Sequence, residues 1–393
     1  MTHLALDQTL TAPTVLIVMP LADQRGGAEM ALLHLLQAAS PIRWHVVFLE
    51  DGPMVAQARA LGVGATVIKA GRVRQPHKFA ATIISIARLA RRIHARAMLA
   101  WMAKAHLYCG PAAKLARIPA VWFQHGLPSI GGIIDSVAAR IPAAGSLACS
   151  QFVADAQMKM MPGIPVRVVH PATDLARFCP GTLPSPAACR QQTGLPPAGP
   201  LIGIFGRLQS WKGIHVFIAS LPRVLVRYPT ATAVVVGGAW HLEHQYESEL
   251  HRQVETLKLE GRVIFAGHQQ NIPQWMQACD VLVHAADHEP FGMTVVEAMS
   301  LGKPVVAGAA GGPREVITDG VHGLLVPFGD SEGIAAAILR YLDDRTLAST
   351  IGGAALERAQ YFSVERFARS VCDALNQWML PPDTKPPACL HPG

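Results

Sequence analysis

Apolar residues along this chain fall into two kinds of segment that alternate. Short continuous runs, such as Thr14–Met19 and Leu201–Phe205, are rich in Val, Ile and Leu and predict strands buried on both faces. Longer segments, such as Phe79–Ala95, carry an apolar residue every three or four positions and predict helices with one buried face. The alternation predicts an α/β protein in which helices cover both faces of parallel sheets.

The predicted strands form two series separated by a break. The first series is Thr14–Met19, Trp44–Leu49, Ala65–Ile68, Met98–Met102, Ala120–Phe123, Ser146–Cys149 and Val166–Val169, and the second is Leu201–Phe205, Thr232–Val236, Val263–Ala266, Val281–Ala285 and Pro304–Ala307. The break begins at His170-Pro171 and ends in a run of Pro and small residues at 194–200, which predicts an interdomain linker. Two sheets facing each other would bring their strand carboxyl ends to one central cleft.

These features define a predicted domain organisation. We expect an N-terminal domain at residues 1–180, a linker at 181–200 and a C-terminal domain at 201–360. Ser363–Met379 has helical spacing, and residues 381–393 are expected to be a disordered tail.

Composition is that of an ordinary globular protein. The 393 residues suffice for two domains, and with 50% hydrophobic and 16% charged residues the chain can fill their cores. The apolar runs are too short to span a bilayer, and Met1–Pro13 lacks the pattern of a signal peptide. The seven cysteines are scattered and form no C-x-x-C pair, which favours reduced cytosolic thiols over disulfides or a zinc site.

The net charge of +7 is unevenly distributed. Residues 1–180 carry 18 Lys and Arg against 8 Asp and Glu, whereas the remainder carries 16 against 19. Four of these basic residues share one predicted helical region: Arg88, Arg91, Arg92 and Arg96. Because no nucleic-acid-binding motif accompanies them, an anionic membrane surface or a pyrophosphate-bearing lipid acceptor is the favoured partner over nucleic acid. A basic helix that is merely solvated is an equally good interpretation.

The most informative motif is the stretch from Glu289 to Glu297, which reads EPFGMTVVE. Its first glutamate follows a predicted strand, and its second lies in a helix that is expected to begin near Phe291. Pro290 and Gly292 suit a loop that turns sharply into a helix, so the backbone amides at Phe291, Gly292 and Met293 are candidates for binding phosphate or sugar oxygens. Two glutamates on a solvated helix start are also common in proteins that bind no sugar.

Further candidate residues follow other predicted strands. Arg207 and Lys212 lie in Gly206–Gly213, at a helix start where positive charge is unfavourable unless an anion binds there. Glycines that open helices let backbone amides approach an anion, and His125 ends an apolar strand. The remaining candidates are Gly26, Gly27, Gly206, Gln269, Gly311 and Gly312. Taken alone, each of these residues also has an ordinary structural interpretation.

Together the motifs resemble the donor site of retaining glycosyltransferases of family 4, which have paired glutamates and an Arg/Lys clamp for the diphosphate. The resemblance extends from about Gly26 to Phe362. It implies the GT-B fold, in which two Rossmann-like domains face a central cleft, and a helix at 361–380 that crosses back to the N-terminal domain. It also implies a hexosyltransferase that uses a UDP-, GDP- or ADP-hexose as substrate and requires no cofactor or metal.

The resemblance assigns roles to individual residues. Arg207 and Lys212 would bind the diphosphate, Glu297 the ribose, and Glu289 the sugar or the phosphates. His125 would contact a hydroxyl of the donor sugar. The loops with the remaining candidates would meet the donor through backbone groups: Gly26, Gly27, Gly206, Gln269, Gly311 and Gly312.

The expected activity is transfer of a hexose to a glycan or lipid-linked acceptor in cell-envelope polysaccharide or glycolipid synthesis. The expected location is the cytoplasm, with peripheral attachment to the inner face of the cell membrane. Two alternatives keep the fold: a sugar-nucleotide epimerase or phosphorylase, and a non-catalytic protein that binds a sugar nucleotide. The full set of cations and glutamates favours the transferase, and the sequence identifies neither the base nor the sugar.

Overall fold

The computed structural model describes residues 12–24, 26–70, 75–129, 132–239, 243 and 245–379. Two compact units divide the chain. Unit 1 comprises the described residues up to Pro171 together with those from Val364 onward, and unit 2 is Ala172–Ser363. The first boundary lies nine residues before the expected end of the N-terminal domain.

Unit 1 contains a parallel sheet flanked by helices. Its strands pair in the order β3-β2-β1-β4-β5-β6-β7, all parallel. The elements are β1 (Thr14–Met19), α1 (Gly27–Gln37), β2 (Arg43–Phe48), α2 (Pro53–Ala60), β3 (Gly64–Val67), α3 (Pro76–Arg92), β4 (Ala95–Trp101), α4 (Ala103–Ala116), β5 (Ala120–Gln124), α5 (Ile133–Ala138), β6 (Gly145–Ala148), α6 (Gln151–Met160) and β7 (Val166–Val168).

Unit 2 repeats this plan. Its strands pair in the order β10-β9-β8-β11-β12-β13, again all parallel. The elements are α7 (Pro186–Thr193), β8 (Leu201–Phe205), α8 (Ile214–Arg227), β9 (Thr232–Val236), α9 (Tyr246–Thr256), β10 (Val263–Gly267), α10 (Ile272–Ala278), β11 (Val281–His284), α11 (Met293–Ser300), β12 (Val305–Gly308), α12 (Pro313–Val316), β13 (Leu324–Val326), α13 (Ser331–Asp343) and α14 (Arg345–Ala359), with one 3₁₀ turn at Ser210–Lys212 and another at Gln360–Phe362.

The predicted fold class is confirmed, because each unit is a parallel, doubly wound sheet with the strand order of a Rossmann fold. In such sheets, ligands bind beyond the carboxyl ends of the two adjacent strands at which the order reverses. These strands are β1 and β4 in unit 1, and β8 and β11 in unit 2.

The inner strands of both sheets are buried because they consist almost entirely of apolar residues, whereas the edge strands β3, β7 and β10 are partly exposed. Every residue of β1, β8 and β9 is buried, and these three strands have the bounds that the apolar runs predicted. In unit 2, Ile204 and Val283 pack in one apolar core with Phe217 of α8. Rigid strands of this kind hold the loops that follow them in defined positions.

The stretch expected to be a linker, residues 181–200, instead contains a helix of unit 2. Helix α7 begins at a Ser185 cap, whose hydroxyl accepts from the Ala188 amide, and ends at Gly194 in a left-handed conformation. Arg190 donates to Asp280 at 2.8 Å and to the Ala278 carbonyl at 3.0 Å. This buried arginine attaches α7 to the segment before β11, which composition alone did not reveal.

The last described helix, α15 (Val364–Met379), belongs to unit 1. Phe367 packs against Phe123 of β5 with ring centroids 6.1 Å apart, and the Cys372 thiol lies 3.5 Å from the Ser40 hydroxyl. None of the helices in the described ranges is both long and apolar enough to cross a membrane. The predicted disordered tail, 381–393, lies outside the described residues.

Candidate functional site

The loops after β8 and β11 bring two predicted residues of unit 2 into direct contact. The Nζ atom of Lys212 donates to Oε2 of Glu289 at 2.5 Å, and both side chains are largely buried. The same ammonium lies 4.1 Å from the centre of the Trp211 ring, a cation–π contact. A carboxylate and an aromatic ring thus position one cation at the point where the strand order of unit 2 reverses.

Glu289 is ionised despite its burial. Burial raises the pKa of its carboxyl, but the Lys212 ammonium and a hydrogen bond from His284 outweigh this and hold the pKa well below its usual range. The His284 Nε2 atom lies 3.1 Å from Glu289 Oε2. A buried charge held by two donors has a fixed orientation, which suits it to accept a hydrogen bond from a ligand.

A glycine turn packs directly against the Glu289 backbone. The Gly312 amide donates to the Glu289 carbonyl at 2.9 Å. Gly311 has φ +68°, and a Cβ on it would lie 2.2 Å from the same carbonyl oxygen. Gly206, which follows β8, borders the Lys212 side chain, since a Cβ there would be 3.7 Å from its Cδ. The turn after β12 therefore approaches Glu289 closely only because it contains glycine, whereas a Cβ at Gly206 would lie at an ordinary contact distance from Lys212.

Helix α11 begins one turn beyond Glu289. Gly292 precedes it in a left-handed conformation, with φ +101°, and no side chain in the described ranges caps its first turn at Met293. The buried Phe291 ring meets Phe362 edge-on at 5.5 Å. This start of a helix next to an ionised glutamate agrees with the loop-to-helix turn that Pro290 and Gly292 predicted.

Glu297, on the next turn of α11, is in a different state from Glu289. It has no hydrogen bond or ion pair with any residue that the structure describes. Burial raises the pKa of its carboxyl to about 7, and the charge of Arg177 opposes this shift only in part. Arg177 itself donates to the Gln270 carbonyl at 3.0 Å, in the loop after β10. An uncompensated carboxyl of this kind is suited to binding hydroxyl groups.

Two other predicted residues of unit 2 lie in the loops after β10 and β8. Gln269 follows β10 and donates back to the Ala266 carbonyl at 2.6 Å. Arg207 is partly exposed between β8 and the 3₁₀ turn. Among the described residues, no group of three or more His, Cys, Asp or Glu side chains could hold a metal ion.

In unit 1, Trp101 connects the two predicted pieces of the site. Its indole nitrogen donates to the Ala28 carbonyl at 2.8 Å, beside Gly26 and Gly27 at the start of α1. Its ring centroid lies 4.5 Å from that of His125. The glycine loop after β1 and the histidine after β5 are therefore held by one tryptophan at the end of β4.

His125 is a neutral hydrogen-bonding group. Burial lowers the pKa of its imidazole to about 3, so the ring is uncharged near neutral pH. Its Nε2 atom is buried and has no partner among the described residues. The ring also packs against Phe123, with centroids 4.0 Å apart. An unpaired nitrogen at a strand end is suited to contact a ligand hydroxyl.

Sequence reasoning missed three residues that organise these sites: Trp101, Arg177 and His284. Trp101 and His284 are the last residues of β4 and β11, so a polar or aromatic residue at the end of an apolar run was the available signal. Arg177 had no such signal, because its proximity to Glu297 depends on the tertiary fold.

Comparisons with known proteins agree with this architecture. The family model described as glycosyl transferases group 1 matches residues 187–358. The lipopolysaccharide core biosynthesis mannosyltransferase LpsB of Rhizobium meliloti is 33% identical over 211 residues, which are 53% of this chain and 60% of the relative. The matched stretch spans between about half and three fifths of the length of such curated relatives.

The similarity to solved structures covers both units. The crystal structure of Anabaena Alr3699/HepE in complex with UDP and glucose is 30% identical, with a TM-score of 0.81 over 92% of this chain and 99% of that one. A glycosyltransferase from Rickettsia africae shares the fold, with a TM-score of 0.83 at 20% identity. The chain therefore belongs to the glycosyl transferases group 1 family and has its GT-B fold.

Proposed function

We propose that this chain is a retaining glycosyltransferase of family 4, which transfers a hexosyl group from a nucleotide sugar to a glycan or lipid-linked acceptor. The observation that carries the proposal is the Lys212–Glu289 pair at the strand reversal of unit 2. A cation and an ionised carboxylate there match the diphosphate and the hydroxyls of such a donor. The names of relatives that act in lipopolysaccharide core biosynthesis support a role in cell-envelope polysaccharide or glycolipid synthesis.

The diphosphate would be bound by Lys212 and Arg207. As the bond to the sugar breaks, negative charge accumulates on the leaving nucleoside diphosphate. Fixed cations stabilise this charge more in the transition state than in the ground state, because it is larger there. Since these two cations supply positive charge, the proposed reaction requires no divalent metal.

The other predicted residues would bind the rest of the donor. Glu297 would accept hydrogen bonds from the ribose hydroxyls, and the loop at Gln269 would meet the base. Glu289 would accept from a hydroxyl of the hexose. The start of α11 and the glycine turns would contribute backbone amides to the phosphates and the sugar: Gly206, Phe291, Gly292, Met293, Gly311 and Gly312.

In unit 1, the proposed sugar contact is the neutral Nε2 atom of His125. The amides after Gly26 and Gly27 would face phosphate or acceptor, as glycine-led helix starts do in other proteins. Retention of the anomeric configuration rests on the resemblance of the glutamate and Arg/Lys motifs to family 4. Proton NMR of the anomeric signal in the first product formed tests it, since an inverted anomer would exclude a retaining enzyme.

The cytoplasmic, peripheral-membrane location is also part of the proposal. Its support is a set of exposed arginines, three on α3 and one on β4: Arg88, Arg91, Arg92 and Arg96. Anionic lipid attracts exposed basic residues at low ionic strength. Sedimentation with phosphatidylserine vesicles, but not with phosphatidylcholine vesicles, is the expected result. Full recovery in the supernatant at low salt would contradict it.

Thermal unfolding in the presence of nucleotides tests the donor site. UDP, GDP and ADP and their hexose conjugates are added with and without EDTA, starting with UDP because the Anabaena relative was solved with it. One nucleotide family is expected to raise the Tm, by mass action on the folded state, without sensitivity to EDTA. Lys212→Met should remove the shift, whereas Arg223→Gln, which changes an exposed cation of the same unit, should keep it. No shift with any nucleotide would contradict the proposal.

A further inference from the structure

Among the described residues, Glu289 has hydrogen-bond partners at only one of its two carboxylate oxygens. Both the Lys212 ammonium, at 2.5 Å, and the His284 imidazole, at 3.1 Å, contact Oε2. Oε1 has no hydrogen bond with any described residue. Because an ionised carboxylate can accept several hydrogen bonds, this second oxygen is available to a ligand in a fixed direction.

His284 is placed to donate rather than to accept. It is buried at the end of β11, and its Nδ1 atom has no partner among the described residues. It borders a cavity of about 10 Å³ whose other lining residues are apolar except Thr294. A proton on Nδ1 would leave a buried donor unpaired, whereas a proton on Nε2 is used by Glu289. The geometry therefore places a proton on Nε2, where Glu289 accepts it, and none on Nδ1.

Lys212 would be shared between two anions once a donor binds. Its ammonium, which faces the Glu289 carboxylate, would also contact the diphosphate, which carries more negative charge. Its contact with Glu289 would then weaken while Glu289 is still buried. His284 is attached to the end of a central strand and has no comparable second role, so its hydrogen bond persists.

We propose that His284 is a positioning residue: its Nε2–H holds Glu289 Oε2 when Lys212 engages the diphosphate, so that Oε1 accepts a hydroxyl of the donor hexose. The identity of the ligand in this inference rests on the proposed function, but the contact between His284 and Glu289 does not. It assigns two different tasks to the neighbours of Glu289, since Lys212 responds to the nucleotide and His284 secures the sugar contact.

The first test compares binding of UDP and UDP-glucose by calorimetry. In His284→Leu, affinity for UDP-glucose should fall about tenfold while affinity for UDP changes less than about twofold, because only the sugar contact is lost. His284→Gln retains a donor near the position of Nε2 and should restore most of the difference. His251→Leu, a change at an exposed position of helix α9, should match the wild type. Equal losses for UDP and UDP-glucose in His284→Leu would overturn the proposal.

The second test needs no ligand, so it separates this inference from the proposed donor. Nitrogen-15 NMR of the imidazoles, assigned by difference with His284→Gln, should show His284 protonated at Nε2 and unprotonated at Nδ1. Glu289→Gln should shift these signals. A proton on Nδ1, or signals indifferent to Glu289→Gln, would overturn the inference even if UDP-glucose binds. If wild-type protein binds neither UDP nor UDP-glucose, the proposed donor is wrong, and the tautomer measured by NMR alone tests the role of His284. If His284→Leu does not fold, ligand binding by His284→Gln and the NMR spectra test that role.

Discussion

The Lys212 ammonium and the Glu289 carboxylate lie 2.5 Å apart, although 77 residues separate them in the sequence. One follows β8 and the other follows β11, and these adjacent strands mark the reversal of strand order in unit 2. The ion pair therefore exists because two loops that are distant in sequence leave the same edge of one sheet. It links the stability of unit 2 to the chemistry proposed for it.

Removal of the Lys212 charge should affect both activity and stability. In Lys212→Met, we expect donor turnover to fall about a hundredfold, or about 3 kcal/mol of transition-state stabilisation. At pH 7 the free energy of unfolding should fall by about 2 kcal/mol, because Glu289 stays buried without its cation. Steady-state kinetics and urea unfolding measure the two effects.

The stability difference should depend on pH in a defined direction. In the wild type the pKa of Glu289 lies below its value of 4.5 in the unfolded chain, so the stabilisation is present above pH 4.5 and is lost as the pH falls through the lower, folded pKa. In Lys212→Met, burial should raise that pKa instead. The stability difference between the two proteins should therefore shrink steadily as the pH falls from 7, and part of it should remain below pH 4.5. Arg223→Met, which opens the exposed pair with Glu332, should cost less than about 1 kcal/mol at any pH.

Glu297 should couple nucleotide binding to the release of protons. Its pKa of about 7 exceeds the unfolded value of 4.5, so the folded state becomes more stable as the pH falls from about 7 towards 4.5. Ribose hydroxyls bind the charged form, hence UDP binding at pH 7 should release protons and weaken below that pH. Calorimetry in buffers of different ionisation enthalpy should detect the release. Glu297→Gln should abolish it and stabilise the free protein at pH 8 by about 1 kcal/mol. Proton release that persists in Glu297→Gln would exclude this residue.

His125 should make unit 1 less stable in acid. Its pKa of about 3 lies below the unfolded value of 6.5, so the unfolded chain gains protons first and stability falls as the pH drops below 6.5. His125→Phe keeps a ring between Trp101 and Phe123, and it should reduce the loss between pH 7 and pH 5 by about 1 kcal/mol. Acid unfolding with identical slopes in both proteins would contradict this assignment. A fall in donor turnover in His125→Phe at pH 7.5 would support the proposed contact with the sugar.

The glycine turn after β12 should tolerate no side chain. Gly311→Ala places a methyl group 2.2 Å from the Glu289 carbonyl oxygen at φ +68°, so we expect a loss of about 3 kcal/mol in unfolding free energy and weaker UDP-glucose binding. Gly353→Ala is the matched control. It lies within helix α14 with no atom within 4 Å of the added methyl, and it should stabilise the protein by up to about 1 kcal/mol. A Gly311→Ala protein as stable as the wild type would show that the turn can move away from Glu289.

The sequence by itself determined the fold class and most strands, because a strand buried on both faces must be a continuous apolar run. The bounds of β1, β8 and β9 were predicted to the residue for that reason. Helix α7 was missed, although Ser185 and Gly194 are ordinary helix boundary residues, because the surrounding Pro and small residues suggested a linker. Its attachment to unit 2 depends on the Arg190–Asp280 pair, which no local pattern encodes.

The candidate residues could also be identified from the sequence, because they are particular residue types at strand ends, where parallel sheets place polar groups. Only the tertiary structure decided which of them meet. It joins Lys212 to Glu289, adds His284 as a second donor, and leaves Glu297 without a partner among the described residues. These outcomes give two glutamates of one motif opposite pKa shifts. The physical reason is that a carboxyl pKa depends on burial and on charges within a few ångströms, and in this protein those charges come from distant parts of the chain.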